Sequence, residues 1–369
     1  MNGLPSQYPV SGTIQVSVII PIYNAKNTLP RCLESLAAQT CKAIEFICVN
    51  DGSTDDSPAE LEAWARRDAR FRIIHQQNMG YGKAMNHGMH MAQGKYIGIV
   101  EPDDWVDSNM YEDLLALATR TSADIVKSSY FIEKKSGCKP ISKFSRITGN
   151  EVFSPQDIPE YLKGAPSIWT ALYQREWLEK ENIRFSETPG ASFQDLGFCI
   201  RTWICASKIA VTDTPYYHYW EDNPTSSSRR MEDGAWAAYK ELELQSDLFE
   251  NIPAQESKIR SYIVLRIFFT LRADYKLRIR NTSRSFLLKY SHILNDYFPL
   301  GTLDQSIFSK EEWFDLHLIY NTPLLFPKKS KTRANFIQNI FSCRTEAGIR
   351  VLRLLGMRIE LGVSKKAKA

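Results

Sequence analysis

Ile97-Gly98-Ile99-Val100-Glu101-Pro102-Asp103-Asp104-Trp105 decides how the rest of the chain is read. A short apolar run ends abruptly in three carboxylates within four residues. Ile97 to Val100 has the length and β-branching of a buried strand, entered through Gly94-Lys95. Pro102 stops the ladder, because it has no N–H and disfavours helix at the residue before it. The carboxylates therefore fall at the carboxyl end of a core strand, the edge where open α/β sheets bind ligands. Three like charges at one strand end repel unless a cation or partner neutralises them. Hard oxygen ligands at this spacing suit Mg²⁺ or Mn²⁺ held against phosphates. The alternative is an acidic turn that caps the next helix through Asp107 or Ser108.

Working outward, Val16-Ser17-Val18-Ile19-Ile20-Pro21 reads as a buried strand followed by Tyr23-Asn24. A helix follows, with Asn27 as its expected cap and Leu29, Leu33 and Leu36 on one face. Glu45–Val49 is a second strand, ending in Asn50-Asp51-Gly52-Ser53. Ser57-Pro58-Ala59-Glu60 has the spacing of a capping box with proline at the first helical position. Phe71–His75 is a third strand. A glycine-rich turn at Asn78–Lys83 leads into a helix over Ala84–Ala92, and Gly94 ends that helix. The resulting β-α-β-α-β-α-β order implies a mostly parallel central sheet with helices on both faces and right-handed crossovers. Polar residues follow each strand: Tyr23 and Asn24, Asp51 and Ser53, Asn78 and Lys83, then Glu101, Asp103 and Asp104. Together they outline a nucleotide-sized cleft.

The 369 residues suffice for two domains, or for one with a large extension. Seven cysteines are odd in number and form no CxxC pair, which argues against a disulfide framework or a zinc site and for a reducing cytosol. There is no signal-peptide pattern at the start and no apolar run of membrane-spanning length. The net charge of +4 hides an asymmetry. From Pro327 onward eleven Lys/Arg face two Glu, a net +9 on a body that carries −5. A basic tail on an acidic body points to an anionic surface as partner. Gly80-Tyr81-Gly82-Lys83-Ala84-Met85 falls short of a dinucleotide fingerprint and follows the third strand, and no GxxxxGK[ST] loop exists.

Four ordered stretches resemble family 2 glycosyltransferases of the GT-A fold: Val16–Asn24, Val49–Ser57, Asn78–Gly88 and Ile99–Trp105. The resemblance is strong over about residues 14–120 and reaches weakly to about 230. It implies a Rossmann-like GT-A domain over 14–235, followed by a helical region over 236–326 and a basic amphipathic tail over 327–369. It also implies an inverting, metal-dependent enzyme that takes a nucleotide-diphospho sugar, expected to be UDP-linked. The acceptor would be a saccharide or lipid-linked hydroxyl in surface polysaccharide synthesis. By position, Tyr23 would stack on the nucleobase and Asp51 would bond its edge. Pro21, Asn24, Asn78 and Asp104 would border the donor; Lys83 would reach its phosphate, or is an exposed lysine at a helix start. Glu101-Pro102-Asp103 occupies the family's DxD position, with the metal chiefly on Asp103 and Glu101 beside it. Phe193-Gln194-Asp195-Leu196-Gly197 stands where the family has Glu-Asp before a helix, so Asp195 would be the general base; alternatively it caps the helix Leu196–Ser207.

Arg229 would clamp the diphosphate with Arg230, a match to phosphate geometry, or the two are a solvated pair. His218 reads as a packed sheet histidine, with a third metal ligand as the alternative. Leu242, Leu248 and Phe249, then Ile259, Ile263, Ile267 and Leu271, recur at helical spacing. The tail interleaves Ile340, Phe341, Leu352, Leu354 and Leu355 with arginines, which suits an anionic membrane interface or packing on protein. The expected location is the cytoplasmic face of the cell membrane, with no nucleic-acid partner. The rival readings are a non-catalytic nucleotide-sugar-binding protein and a nucleotidyltransferase. The latter needs a glycine-rich basic loop after the first strand, which Tyr23–Asn27 does not supply.

Overall fold

The computed structural model describes residues 13–145, 152–157, 161–162, 166–191, 193–223, 234–277 and 284–326, and the segments 341–346, 349–354 and 357–363. Arg229, Arg230 and the start of the tail, including Ile340, lie outside the described residues, as does the lead-in before Thr13.

The first half alternates strand and helix: β1 (Val16–Ile22), α1 (Leu29–Ala37), β2 (Ile44–Asp51), α2 (Ser57–Arg67), β3 (Phe71–Gln76), α3 (Tyr81–Met91) and β4 (Tyr96–Ile99). Every residue of β1, β2 and β4 is buried, as strands covered by helices on both faces require. These strands pair in parallel, in the order β3-β2-β1-β4. Their carboxyl ends therefore share one edge. Pro21 is tolerated in central β1 because the β4 partner register ends at Ile19↔Ile99, so its missing N–H falls beyond β4.

The second half turns antiparallel. It adds β5 (Trp105–Val106), α4 (Met110–Thr121), β6 (Ile125–Lys134), β7 (Gly137–Ile141), β8 (Ala171–Gln174), α5 (Arg175–Lys180), α6 (Gln194–Cys205) and β9 (Ile209–Trp220). The sheet continues β4-β8-β6-β9-β5, with β7 beside β6. β8 runs against both β4 and β6, whereas β9 runs parallel to β6. Parallel pairing thus dominates the front half and mixed pairing the back.

Five helices follow: α7 (Gly234–Glu243), α8 (Ser246–Glu250), α9 (Ser257–Leu277), α10 (Arg284–Tyr297) and α11 (Lys310–Asn321). Leu242, Phe249, Ile263, Ile267, Leu271, Tyr290 and Leu316 are buried in one apolar core continuous with that of the sheet. The helical spacing read from the sequence is therefore borne out. Ser309 and Glu312 close a full capping box on α11. The segments at 341–363 form a separate antiparallel meander, β10 (Phe341–Glu346), β11 (Ile349–Leu354) and β12 (Met357–Val363).

Two expected caps are displaced. Thr28, not Asn27, precedes α1. Ser57 closes no capping box, because its hydroxyl accepts from the Ala25 N–H at 3.0 Å and holds the loop after β1 instead.

Candidate active site

At the shared edge, β4 delivers Glu101 and Asp103 directly past its last residue. Glu101 Oε1 accepts from the hydroxyl of Tyr81, the first residue of α3, at 2.7 Å. Burial, with the charges of Asp103 and Asp195, pushes the Glu101 carboxyl up to about 8, and the Tyr81 bond opposes that rise. Burial also raises Asp103, whose Oδ2 accepts from Asn223 Nδ2 at 2.6 Å. Arg31 donates to the Asp103 carbonyl at 2.9 Å, its guanidinium lying 3.6 Å from the Trp105 ring centroid.

Asp104, expected beside the donor, is bonded to β9. It is 2% exposed and accepts from Tyr217 Oη at 2.7 Å and from the Trp220 N–H at 2.8 Å. Its acidity is consumed in fastening β9 to the end of β4. The same Tyr217 hydroxyl accepts from the Glu101 N–H at 3.1 Å, so one side chain sets the exit of the acidic turn.

Other strand-end residues also hold loops. Asp51 accepts from the Met79 and Gly80 N–H groups, both at 2.9 Å, and from Gln76 Nε2 at 2.8 Å. Gly80 has φ +92°, a conformation that L side chains rarely adopt. Asn24, at φ 51°, accepts through Oδ1 from the Thr54 N–H at 2.8 Å and orders the segment after β2. Pro21 is buried within β1, so its contribution is to the sheet rather than to a ligand. Tyr23 is 50% exposed, unusual for an aromatic ring, and Asn78 is exposed at the same edge. Lys83 is half-buried and sits 3.9 Å from Glu187.

Asp195 lies in the first turn of α6, where the helix dipole favours a carboxylate. Its Oδ1 accepts from the Leu196 N–H at 2.9 Å, so it does bond the helix start. Burial raises its pKa against the pull of Arg266. Gln194 is 1% exposed and donates to Thr188 Oγ1 at 2.8 Å, which makes it a loop fastener. The loop it fastens joins the two halves of the site. The Tyr81 N–H donates to the Gly190 carbonyl at 3.0 Å. A Cβ at Gly82 would come within 2.0 Å of the Ser186 carbonyl oxygen, so only glycine lets α3 approach this closely. Asp195 is near enough to Tyr81 and Glu101 for its charge to raise both.

His218 is not at this carboxylate pair: Nδ1 lies 2.8 Å from Glu133 and Nε2 lies 3.1 Å from Asp107. Sequence reading missed Arg31, Tyr81 and Asn223. Arg31 stands 72 positions before the carbonyl it meets, and Asn223 stands 120 after its carboxylate, with no local signal for either. Tyr81 sat inside the glycine-rich turn and was hidden by it.

Glu101 and Asp103 present two hard carboxylates at a buried strand end, where burial and Asp103 both disfavour a charged Glu101. That donor set fits Mg²⁺ or Mn²⁺, which typically take one or two carboxylates, waters and substrate phosphates.

The family model for glycosyl transferase family 2 matches residues 17–180. The uncharacterized glycosyltransferase EpsJ of Bacillus subtilis is 36% identical over 217 residues, 57% of this chain and 62% of EpsJ. The chain thus spans about three fifths of that relative. Glycosyltransferase GlyG of Streptococcus pneumoniae is 33% identical over 216 residues, 55% of this chain and 70% of GlyG. Among solved structures, S. aureus TarS 1-349 in complex with UDP-GlcNAc superposes with a TM-score of 0.72 at 18% identity, covering 94% of this chain and 98% of that one.

Proposed function

The chain belongs to glycosyl transferase family 2 and has the GT-A fold, and on that premise we propose that it is an inverting, metal-dependent transferase using a UDP-linked sugar. The observation that carries the reading is the placement of Asp195 at the start of α6, within electrostatic reach of the Glu101–Tyr81 pair. The 186–190 loop, bonded to Gln194 on one side and to Tyr81 on the other, holds the acid-base group beside the acidic turn.

Asp195 takes the proton of the acceptor hydroxyl as that oxygen attacks the anomeric carbon, opposite the departing nucleoside diphosphate. A carboxylate whose pKa is raised by burial is a better base than an ordinary one, and such positioning supplies roughly 10²–10⁴-fold. Asp103, with Glu101, would hold a divalent cation that offsets charge on the leaving diphosphate. Tyr81 fixes the Glu101 carboxylate, and Tyr217 fixes its backbone. Tyr23 offers its exposed ring to the nucleobase. Asp51 sets the shape of the base-side loop, with one carboxylate lone pair left for the base edge. Lys83 lies where a phosphate could draw it from Glu187.

The acceptor we propose is a saccharide or lipid-linked hydroxyl in surface polysaccharide synthesis. The net +9 after Pro327 would bring the enzyme to an anionic membrane face. Among the described residues no helix is long and apolar enough to cross a membrane. Cosedimentation with anionic liposomes, full chain against a chain ending at Phe326, tests that part; equal sedimentation refutes it. The enzymatic reading is tested by hydrolysis of a panel of nucleotide sugars with and without Mn²⁺. UDP-sugar turnover that needs Mn²⁺ and is lost in Asp103→Ala supports it. Metal-independent turnover unchanged in that variant overturns it.

A further inference from the structure

Beside the acidic turn, but on partners of their own, three metal-ligating side chains converge where β6, β7 and β9 pair. The ligand atoms of Glu133, Cys138 and His218 all lie within 4.8 Å of one another. Among the described residues no other such set of three His, Cys, Asp or Glu does so. We propose that these three form a second metal centre, built for a borderline-soft divalent cation of the Zn²⁺ type.

The strand register brings them together. Glu133 on β6 sits directly opposite Cys138 on β7. On the other side of β6, Phe131 is opposite His218 and Glu133 is opposite Trp220. Side chains two apart share a sheet face, so His218 on β9 is the diagonal neighbour of Glu133. All three ligands thus stand on paired strands, supports more rigid than loops.

The imidazole is also held for the task. It stacks between Trp105, at 5.1 Å and 9°, and Phe131, at 4.6 Å and 18°. Nε2 lies 3.1 Å from Asp107 Oδ1, and Nδ1 lies 2.8 Å from Glu133 Oε1. A neutral imidazole carries one proton. Donated to Asp107, it leaves the Nδ1 lone pair facing a carboxylate oxygen and a sulfur. A carboxylate behind a ligating histidine is the usual outer partner at zinc, fixing tautomer and ring. Tetrahedral zinc, with bonds of about 2.0–2.3 Å, sets its ligands roughly 3.3–3.7 Å apart, so the 2.8 Å Nδ1–Oε1 contact must open by about 0.5 Å within the 4.8 Å cluster to admit the ion.

The ligand chemistry separates this centre from the donor edge. Thiolate and imidazole favour zinc, whereas the paired carboxylates there favour magnesium or manganese. Cys138 is exposed, which gives an entry path and leaves the fourth position to water. Desolvation and the Glu133 carboxylate push the Cys138 thiol up to about 11, so zinc entry displaces its proton to solvent. Thiolate and carboxylate then balance the dication. The absence of CxxC spacing hid this centre, because its ligands come from three strands.

The test is titration of the full, chelator-stripped chain with Zn²⁺ against a chromophoric chelator, and with Co²⁺ followed by absorption. One Zn²⁺ per chain and a thiolate-to-cobalt charge-transfer band are expected. Cys138→Ser, an exposed position, should lose the band and weaken zinc at least tenfold. Asp107→Asn should weaken it by about 10–100-fold. Asp103→Ala should leave both signals unchanged, which separates this site from the donor edge whatever the fate of the transferase reading. Equal zinc affinity in wild type and Cys138→Ser, or no charge-transfer band, overturns the proposal.

Discussion

The Tyr81 hydroxyl donates to Glu101 Oε1 at 2.7 Å, joining the first turn of α3 to the acidic exit of β4. This bond favours the charged carboxylate, whereas burial pushes Glu101 up to about 8. Tyr81→Phe removes only the bond and so moves Glu101 higher still. Mn²⁺-dependent UDP binding near pH 7 should weaken, and its pH midpoint should shift upward, because more alkali is needed to ionise the ligand. Calorimetric titration across pH 6–9 checks this. An identical pH profile in the variant would show that Glu101 is not part of the metal site.

Asp103 and Asp104 are neighbours with different work. Asp104→Ala leaves the Tyr217 hydroxyl and the Trp220 N–H without their acceptor. Each such buried donor costs about 1–3 kcal/mol. The variant should lose several degrees of melting temperature while its folded form binds UDP within a few-fold of wild type. Retained stability with abolished donor binding would restore Asp104 to the donor site.

Glu241 on α7 is 1% exposed, and one of its carboxylate oxygens has no partner. Burial raises it from 4.5 to about 7. For a carboxyl raised on folding, the unfolded chain ionises first. Stability is therefore full below about pH 4.5 and falls as pH rises toward about 7. The loss is at most about 3 kcal/mol. Glu241→Gln should match wild type near pH 4 and be more stable at pH 8. Denaturant melts at both pH values measure this; parallel curves at both would refute it.

The parallel half of the sheet was legible because β1, β2 and β4 are buried on both faces and so read as near-continuous apolar runs, interrupted at Ser17 and Glu45. The antiparallel half was not. β8 is four residues long, and its partners lie far away in sequence. Asn24, Asp51 and Asp104 look like ligands in the sequence, yet each is tied to neighbouring backbone. A polar residue at a strand end serves a loop or a substrate with the same chemistry, and only the fold distinguishes them. Asp195 was singled out only by the family resemblance, because a carboxylate before a helix reads equally as a cap, and the 186–190 loop that couples it to Tyr81 gave no periodic signal.

The central claim is that Asp195 takes the acceptor proton, and Asp195→Asn tests it most directly. The amide keeps the shape and can still accept from the Leu196 N–H, but it cannot accept the proton. Steady-state transfer and donor binding should be measured on the same preparation. The account predicts near-normal UDP-sugar affinity with kcat reduced by ~10²-fold or more. Turnover within a few-fold of wild type would contradict it and leave Asp195 as a helix cap.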